Sequence, residues 1–146
     1  MKIYFDMDGT IADLYGVPDW LPMLEAEDPK PYAIAKPLVN MNKLAKALHK
    51  AQAAGHEVYI VSWLSKYGTS AYGEKVTAAK LQWLKIHLRS VQWDNIHIIK
   101  YGINKWDYCG SDDSILFDDE QRNRDQWLNH MAYEPEKIFE ILGGLC

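Results

Sequence analysis

Asp6 and Asp8, separated by Met7, stand directly after the strand-forming run Ile3, Tyr4, Phe5, and Gly9 and Thr10 follow at once. Side chains at i and i+2 of an extended chain share a face, so both carboxylates can reach one substrate. The string alone reads as readily as a turn, because Asp and Gly are common turn residues. Its weight comes from other polar residues placed after strand-like runs. Ser62 sits near the end of "EVYIVSW", Lys105 follows "NIHIIKY", and Asp118 and Asp119 close "SILF". Carboxylates gathered from such positions repel one another unless a cation lies among them, and oxygen-only ligands suit Mg²⁺. Magnesium commonly shares its coordination between carboxylates and a substrate phosphate, while a lysine and a hydroxyl supply the remaining charge compensation that phosphoryl transfer needs. The five histidines are scattered, and no Ser-His-Asp or Cys-His group competes.

The elements that must hold these residues alternate between strand and helix. Residues 2–5 form a short buried strand. Residues 40–54 carry Leu44, Ala47, Leu48 and Ala51 at helical spacing, with Gly55 where a C-cap belongs. The β-rich run 57–63 has the continuous form of a parallel strand covered on both faces. A helix over 75–88, strands over 95–101 and 114–117, and a helix opening with the acids of "DDEQRNRDQWLNHM" complete the pattern. The spacing predicts an α/β three-layer sandwich with a Rossmann-like, mostly parallel sheet, whose ligands collect at the carboxyl ends of the strands. Between residues 14 and 37, five prolines break the chain into an insertion with two short helices. We expect one domain over residues 1–146, with that small cap after the first strand.

Composition narrows the function classes. At 146 residues, 48% apolar and 25% charged, the chain is that of a soluble globular protein. A net charge of −4 with dispersed basic residues argues against tight binding of a nucleic-acid duplex. Two cysteines without CxxC spacing indicate neither a disulfide framework nor zinc. The absence of a signal-peptide core or a membrane-length apolar run leads us to expect a cytoplasmic protein without membrane association.

Taken together, "FDMDGTIAD", "VYIVSW", Lys105 and "ILFDDEQRN" resemble, in order, the four motifs of the haloacid dehalogenase-like (HAD) superfamily. The "KPL", "KLQWL" and "FDD" strings are most similar to its 5′-deoxyribonucleotidase-like branch. The resemblance covers residues 2 to about 123, and its cap is shorter than in that branch. It implies a Mg²⁺-dependent phosphomonoester hydrolase working through an aspartyl-phosphate, with a nucleoside monophosphate as the first substrate to try. Asp6 would be the nucleophile and Asp8 the acid and base. The implied metal set is Asp6, Asp8 through its carbonyl, Asp118 and Asp119. The implied phosphate-binding set is Gly9, Thr10, Ser62, Trp63, Lys105 and Lys80. Gly9 would let the backbone approach the phosphate, and Thr10 would cap a following helix. Lys105 is favoured as the phosphate-binding lysine over Lys80, which reads alone as a solvated helix residue or one whose stem covers apolar surface.

Trp63 must lie near the pocket mouth, where it could stack on a substrate. Tyr15, Trp20 and Tyr32 read as core or interface before they read as a wall for a base or sugar, since six tryptophans in so short a chain must mostly be structural. The expected partner is a small phosphorylated molecule. The short cap leaves open a homo-oligomer whose second subunit completes the lid. It also motivates the alternative of a non-catalytic protein that keeps the fold to bind a phosphorylated ligand or partner.

Overall fold

The computed structural model describes residues 1–145. In chain order it forms β1 (Lys2–Phe5), β2 (Ala12–Asp13), α1 (Trp20–Glu25), α2 (Lys30–Ile34), β3 (Lys36–Pro37), α3 (Met41–Ala53) and β4 (Glu57–Trp63). There follow α4 (Ser70–His87), β5 (Asn95–Ile99), α5 (Lys105–Cys109), β6 (Ser114–Phe117), α6 (Gln121–Asp125), β7 (Ala132–Tyr133) and α7 (Ile138–Leu145). Five strands make one sheet in the order β5-β4-β1-β6-β7, with every neighbouring pair parallel. From β1 the chain builds outward through β4 to β5 and then returns to the other side as β6 and β7. The strand order therefore reverses at β1, which opens a crevice beyond its carboxyl end.

Alternation along each strand sorts side chains into two layers. Ile3, Phe5, Val58, Ile60, Ile115 and Phe117 pack beneath α3, α4 and α7, where Leu44, Leu48, Trp83, Leu84 and Leu142 complete the larger core. Tyr4, Val61 and Leu116 face the other way, against Trp127 and α5. Helices thus cover both faces, in the expected three layers. Asn40 heads α3 by accepting the Lys43 N–H at 3.0 Å, and Gly55 ends it at φ 94°.

Several boundaries differ from those read in the sequence. Helix α4 begins earlier, at Ser70, because the Thr69 hydroxyl caps the Tyr72 N–H. Strand β5 stops at Ile99, where the chain turns through Gly102 at φ 86°. Strand β7 and helix α7 were not anticipated.

The segment between β2 and β3, which pair antiparallel, carries α1 and α2. It packs on the N-terminal half of α4 through Leu14, Leu24, Tyr32, Tyr72 and Val76. Tyr72 Oη donates to the Asp28 carbonyl, and the Glu27 carboxylate accepts both the N–H and the hydroxyl of Thr69, each at 2.9 Å. Among the described residues, no helix is long and apolar enough to cross a membrane.

Candidate active site

Beyond Phe5 the β1–β6 ladder continues for one bond, from Asp6 N–H to the Phe117 carbonyl at 2.9 Å. The chain then closes on itself: the Met7 carbonyl accepts the N–H groups of Thr10, Ile11 and Ala12 at 2.9–3.1 Å. This tight loop requires φ 81° at Gly9, and a Cβ there would collide with the Asp119 carboxylate. The Gly9 N–H is committed to the Ala12 carbonyl. What the glycine provides is therefore room for Asp119.

Sheet alternation brings the site together from both layers. Asp6 and Asp118 continue the faces of Tyr4 and Leu116, toward α5. That helix is headed by Asn104, whose side chain accepts the Asp107 N–H, and its first residue is Lys105. Lys105 Nζ donates to Asp6 Oδ1 at 2.9 Å and Asp118 Oδ2 at 2.7 Å, with only 1% of the residue exposed. Ser62 continues the opposite face, that of Val58 and Ile60, toward α4. From there Lys80 Nζ donates to Ser62 Oγ at 2.7 Å, the Trp63 carbonyl at 2.7 Å and Asp8 Oδ2 at 2.9 Å.

Lys80 is thus no solvated helix residue: it is 1% exposed, and all three ammonium protons have acceptors. The signal was present in its register with Tyr72, Val76 and Leu84 on the buried stripe of α4. Thr10 also departs from expectation. No helix follows for it to cap, and its hydroxyl instead ties two loops together. It donates to Asp6 Oδ2 at 3.0 Å, lies 3.3 Å from Asp119 Oδ1 and accepts the Asp119 N–H at 3.1 Å.

Asp6, Asp118 and Asp119 each present a carboxylate oxygen within 4.8 Å of the others. Against these three negative charges the cluster sets one ammonium, that of Lys105, which leaves a formal charge of minus two. Burial, and then the nearby Asp6 charge, push the carboxyls of Asp118 and Asp119 above the usual carboxylate range. All-oxygen donors with two uncompensated charges fit a hard divalent cation, Mg²⁺ above all. Asp8 is also raised by burial, with Lys80 pulling the other way. For Lys105, burial opposes the charge, but Asp6 and Asp118 outweigh it and hold the ammonium firmly protonated.

The carboxylates open into a cavity of about 330 Å³. Tyr15, Trp20 and Tyr32 line it, together with Trp63, Tyr67 and Tyr101, so the first three form a wall of the site and are not only core. The Trp63 indole N–H is committed to the Ile103 carbonyl at 2.9 Å. A phosphate can draw no hydrogen bond from that indole, whose ring lies 4.9 Å from the Arg122 guanidinium and 5.3 Å from Lys105 Nζ.

Two further residues support Asp118, and neither is among the candidates named from the sequence. Arg124 donates to its carbonyl at 3.0 Å, and Asn123 Nδ2 donates to its Oδ2 at 2.9 Å. Both lie in α6, past "FDD"; Asn123 is the last residue of "ILFDDEQRN" and Arg124 follows it.

No protein-family model matches this chain, and no curated protein matches it. Among solved structures, D,D-heptose 1,7-bisphosphate phosphatase from Burkholderia thailandensis is similar over 89% of this chain and 74% of that one. The TM-score is 0.53 and the sequence identity 13%. At that identity the shared property is the fold, an α/β sandwich around a parallel sheet, and it is a fold on which a phosphatase site is built in that protein.

Proposed function

We propose that this chain is a HAD-like phosphomonoester hydrolase that uses Mg²⁺, with Asp6 as the covalent nucleophile. The observation that carries the proposal is the convergence of Asp6, Asp118 and Asp119 within 4.8 Å at strand ends, beside Asp8 and two buried lysines. The fold shared with a phosphatase supports it. Asp6, Asp118 and Asp119, with the Asp8 carbonyl, would hold the cation, which supplies charge neutralisation and orientation of the phosphoryl group.

On this reading an Asp6 oxygen attacks phosphorus while the bond to the leaving oxygen breaks, and the Asp8 carboxyl gives that oxygen its proton. In the second step Asp8 takes a proton from water, whose oxygen attacks phosphorus and frees Asp6 and inorganic phosphate. The raised pKa of Asp8 suits the acid role. Lys80 orients Asp8 and Ser62 from one layer, and Lys105 orients Asp6 and Asp118 from the other. We assign contact with the phosphoryl oxygens to Ser62 and to Lys105, which keeps one ammonium proton beyond its bonds to Asp6 and Asp118, while Lys80, with all three protons committed, holds Ser62 and Asp8 in place. The aromatic wall excludes water and offers flat surfaces to a leaving group, which makes nucleoside monophosphates the first class to assay. The cap that carries Tyr15, Trp20 and Tyr32 docks on this chain's own α4, which supports a lid made within one subunit.

The test is phosphate release from a panel of phosphomonoesters with Mg²⁺, comparing wild type with Asp6→Asn. Turnover by the wild type alone is expected. Equal rates would exclude the covalent mechanism, and tight phosphate binding without turnover would favour the binding-protein alternative.

A further inference from the structure

Asn123 is 3% exposed, lines the site cavity and has one half of its amide without a partner. Its Nδ2 donates to Asp118 Oδ2, and this fixes the amide's orientation, because the flipped form would set a carbonyl against a carboxylate. The Oδ1 acceptor is then buried with no hydrogen-bond donor. Such groups are uncommon in folded proteins and call for a donor. Among the described residues, the other buried side-chain polar atoms without partners are the indole nitrogens of Trp93 and Trp127, neither of which lines this cavity.

The neighbouring protein groups do not supply a donor. Lys105 Nζ gives hydrogen bonds to Asp6 and Asp118, the Glu120 N–H goes to Asp118 Oδ1, and Arg124 goes to the Asp118 carbonyl. The carboxylates beside it in the cavity, Asp6, Asp118 and Asp119, are acceptors when ionised, and no other side chain lining the cavity hydrogen-bonds to Asn123 Oδ1. A hydrated Mg²⁺, in contrast, brings water whose protons are made better donors by the cation.

We infer that Asn123 is a positioning residue for the metal: its Nδ2 fixes the rotamer of Asp118, and its Oδ1 accepts a hydrogen bond from a water of the cation's own shell. The inference rests on the Mg²⁺ reading proposed above. It assigns Asn123 to the set of outer partners that orient first-shell ligands, whose loss typically weakens metal binding by about 10–100-fold.

The experiment is calorimetric titration of Mg²⁺ into the protein without substrate, comparing wild type, Asn123→Ala and Asn123→Gln, with circular dichroism to compare their folded states. Ala removes both halves of the amide, whereas Gln keeps both the donor and the acceptor on a stem one methylene longer. The expected result is stoichiometric binding by wild type, weakening of about 10–100-fold in Asn123→Ala, and a clearly smaller weakening in Asn123→Gln. Wild-type affinity in Asn123→Ala, or equal weakening of both folded variants, would overturn the assignment and leave the metal site standing. No binding by folded wild type would overturn the metal reading and this inference with it.

Discussion

Replacing Lys80 by methionine keeps most of the unbranched stem and removes the ammonium, which makes it a sharp test of how the two layers are joined at the site. The ammonium is 1% exposed and bonds to Asp8 Oδ2, Ser62 Oγ and the Trp63 carbonyl at 2.7–2.9 Å. Removing one partner of a buried ion pair typically costs about 3–5 kcal/mol, because the other charge is left uncompensated. Asp8 retains 16% exposure, and burial already raises its carboxyl, so without Lys80 it can recover some hydration or take up a proton, and the lower end, about 3 kcal/mol, applies. With a urea m-value near 2 kcal/mol/M, the unfolding midpoint should fall by about 1.5 M. Lys85→Met on the exposed side of the same helix is the control, and its effect should lie within about 0.5 kcal/mol of zero. The assay is urea unfolding at neutral pH in EDTA. A Lys80→Met midpoint indistinguishable from that of Lys85→Met would refute the buried network.

Gly9→Ala forces a side chain into φ 81° and against Asp119, so it should cost about 1–3 kcal/mol in urea unfolding and reduce phosphate release sharply. Thr10→Val deprives Asp6 of a donor and leaves the Asp119 N–H without its acceptor; a loss of about 1–3 kcal/mol is expected by the same assay. Mg²⁺ at about 100 times its Kd should stabilise the wild type by about 2.7 kcal/mol. In thermal melts with and without EDTA, Asp118→Asn should lose that increment, because it removes a charged member of the carboxylate cluster.

Much of the framework was readable because it depends on local patterning. The apolar runs that became β1, β4 and β6 are bounded by polar residues or glycine, and Asn40 and Gly55 bracket α3 as cap residues do. The site residues were readable because a parallel sheet delivers every strand end to one edge. The remainder depends on tertiary contact. Strand β7 has only two residues, too few to show a period of two, and it exists because Leu116 and Asp118 donate to the Met131 and Tyr133 carbonyls. Lys80 looked solvated by residue type, although its place on the stripe with Val76 and Leu84 pointed inward. Thr10 was misread because "DGT" ahead of an apolar residue resembles a helix start, whereas the Met7 carbonyl draws the loop shut before a helix can form. Asn123 has no sequence signal of its own. Its importance comes from a single hydrogen bond to Asp118 and from the bare acceptor opposite.

The central claim is that Asp6 forms a bond to phosphorus, and rapid acid quench during turnover of a radiolabelled phosphomonoester tests it most directly. Label recovered on protein should map to the peptide containing Asp6 and be absent from Asp6→Asn. Release of phosphate by the wild type with no protein-bound label under quench conditions that trap acyl phosphates, or label on any other residue, would contradict the account.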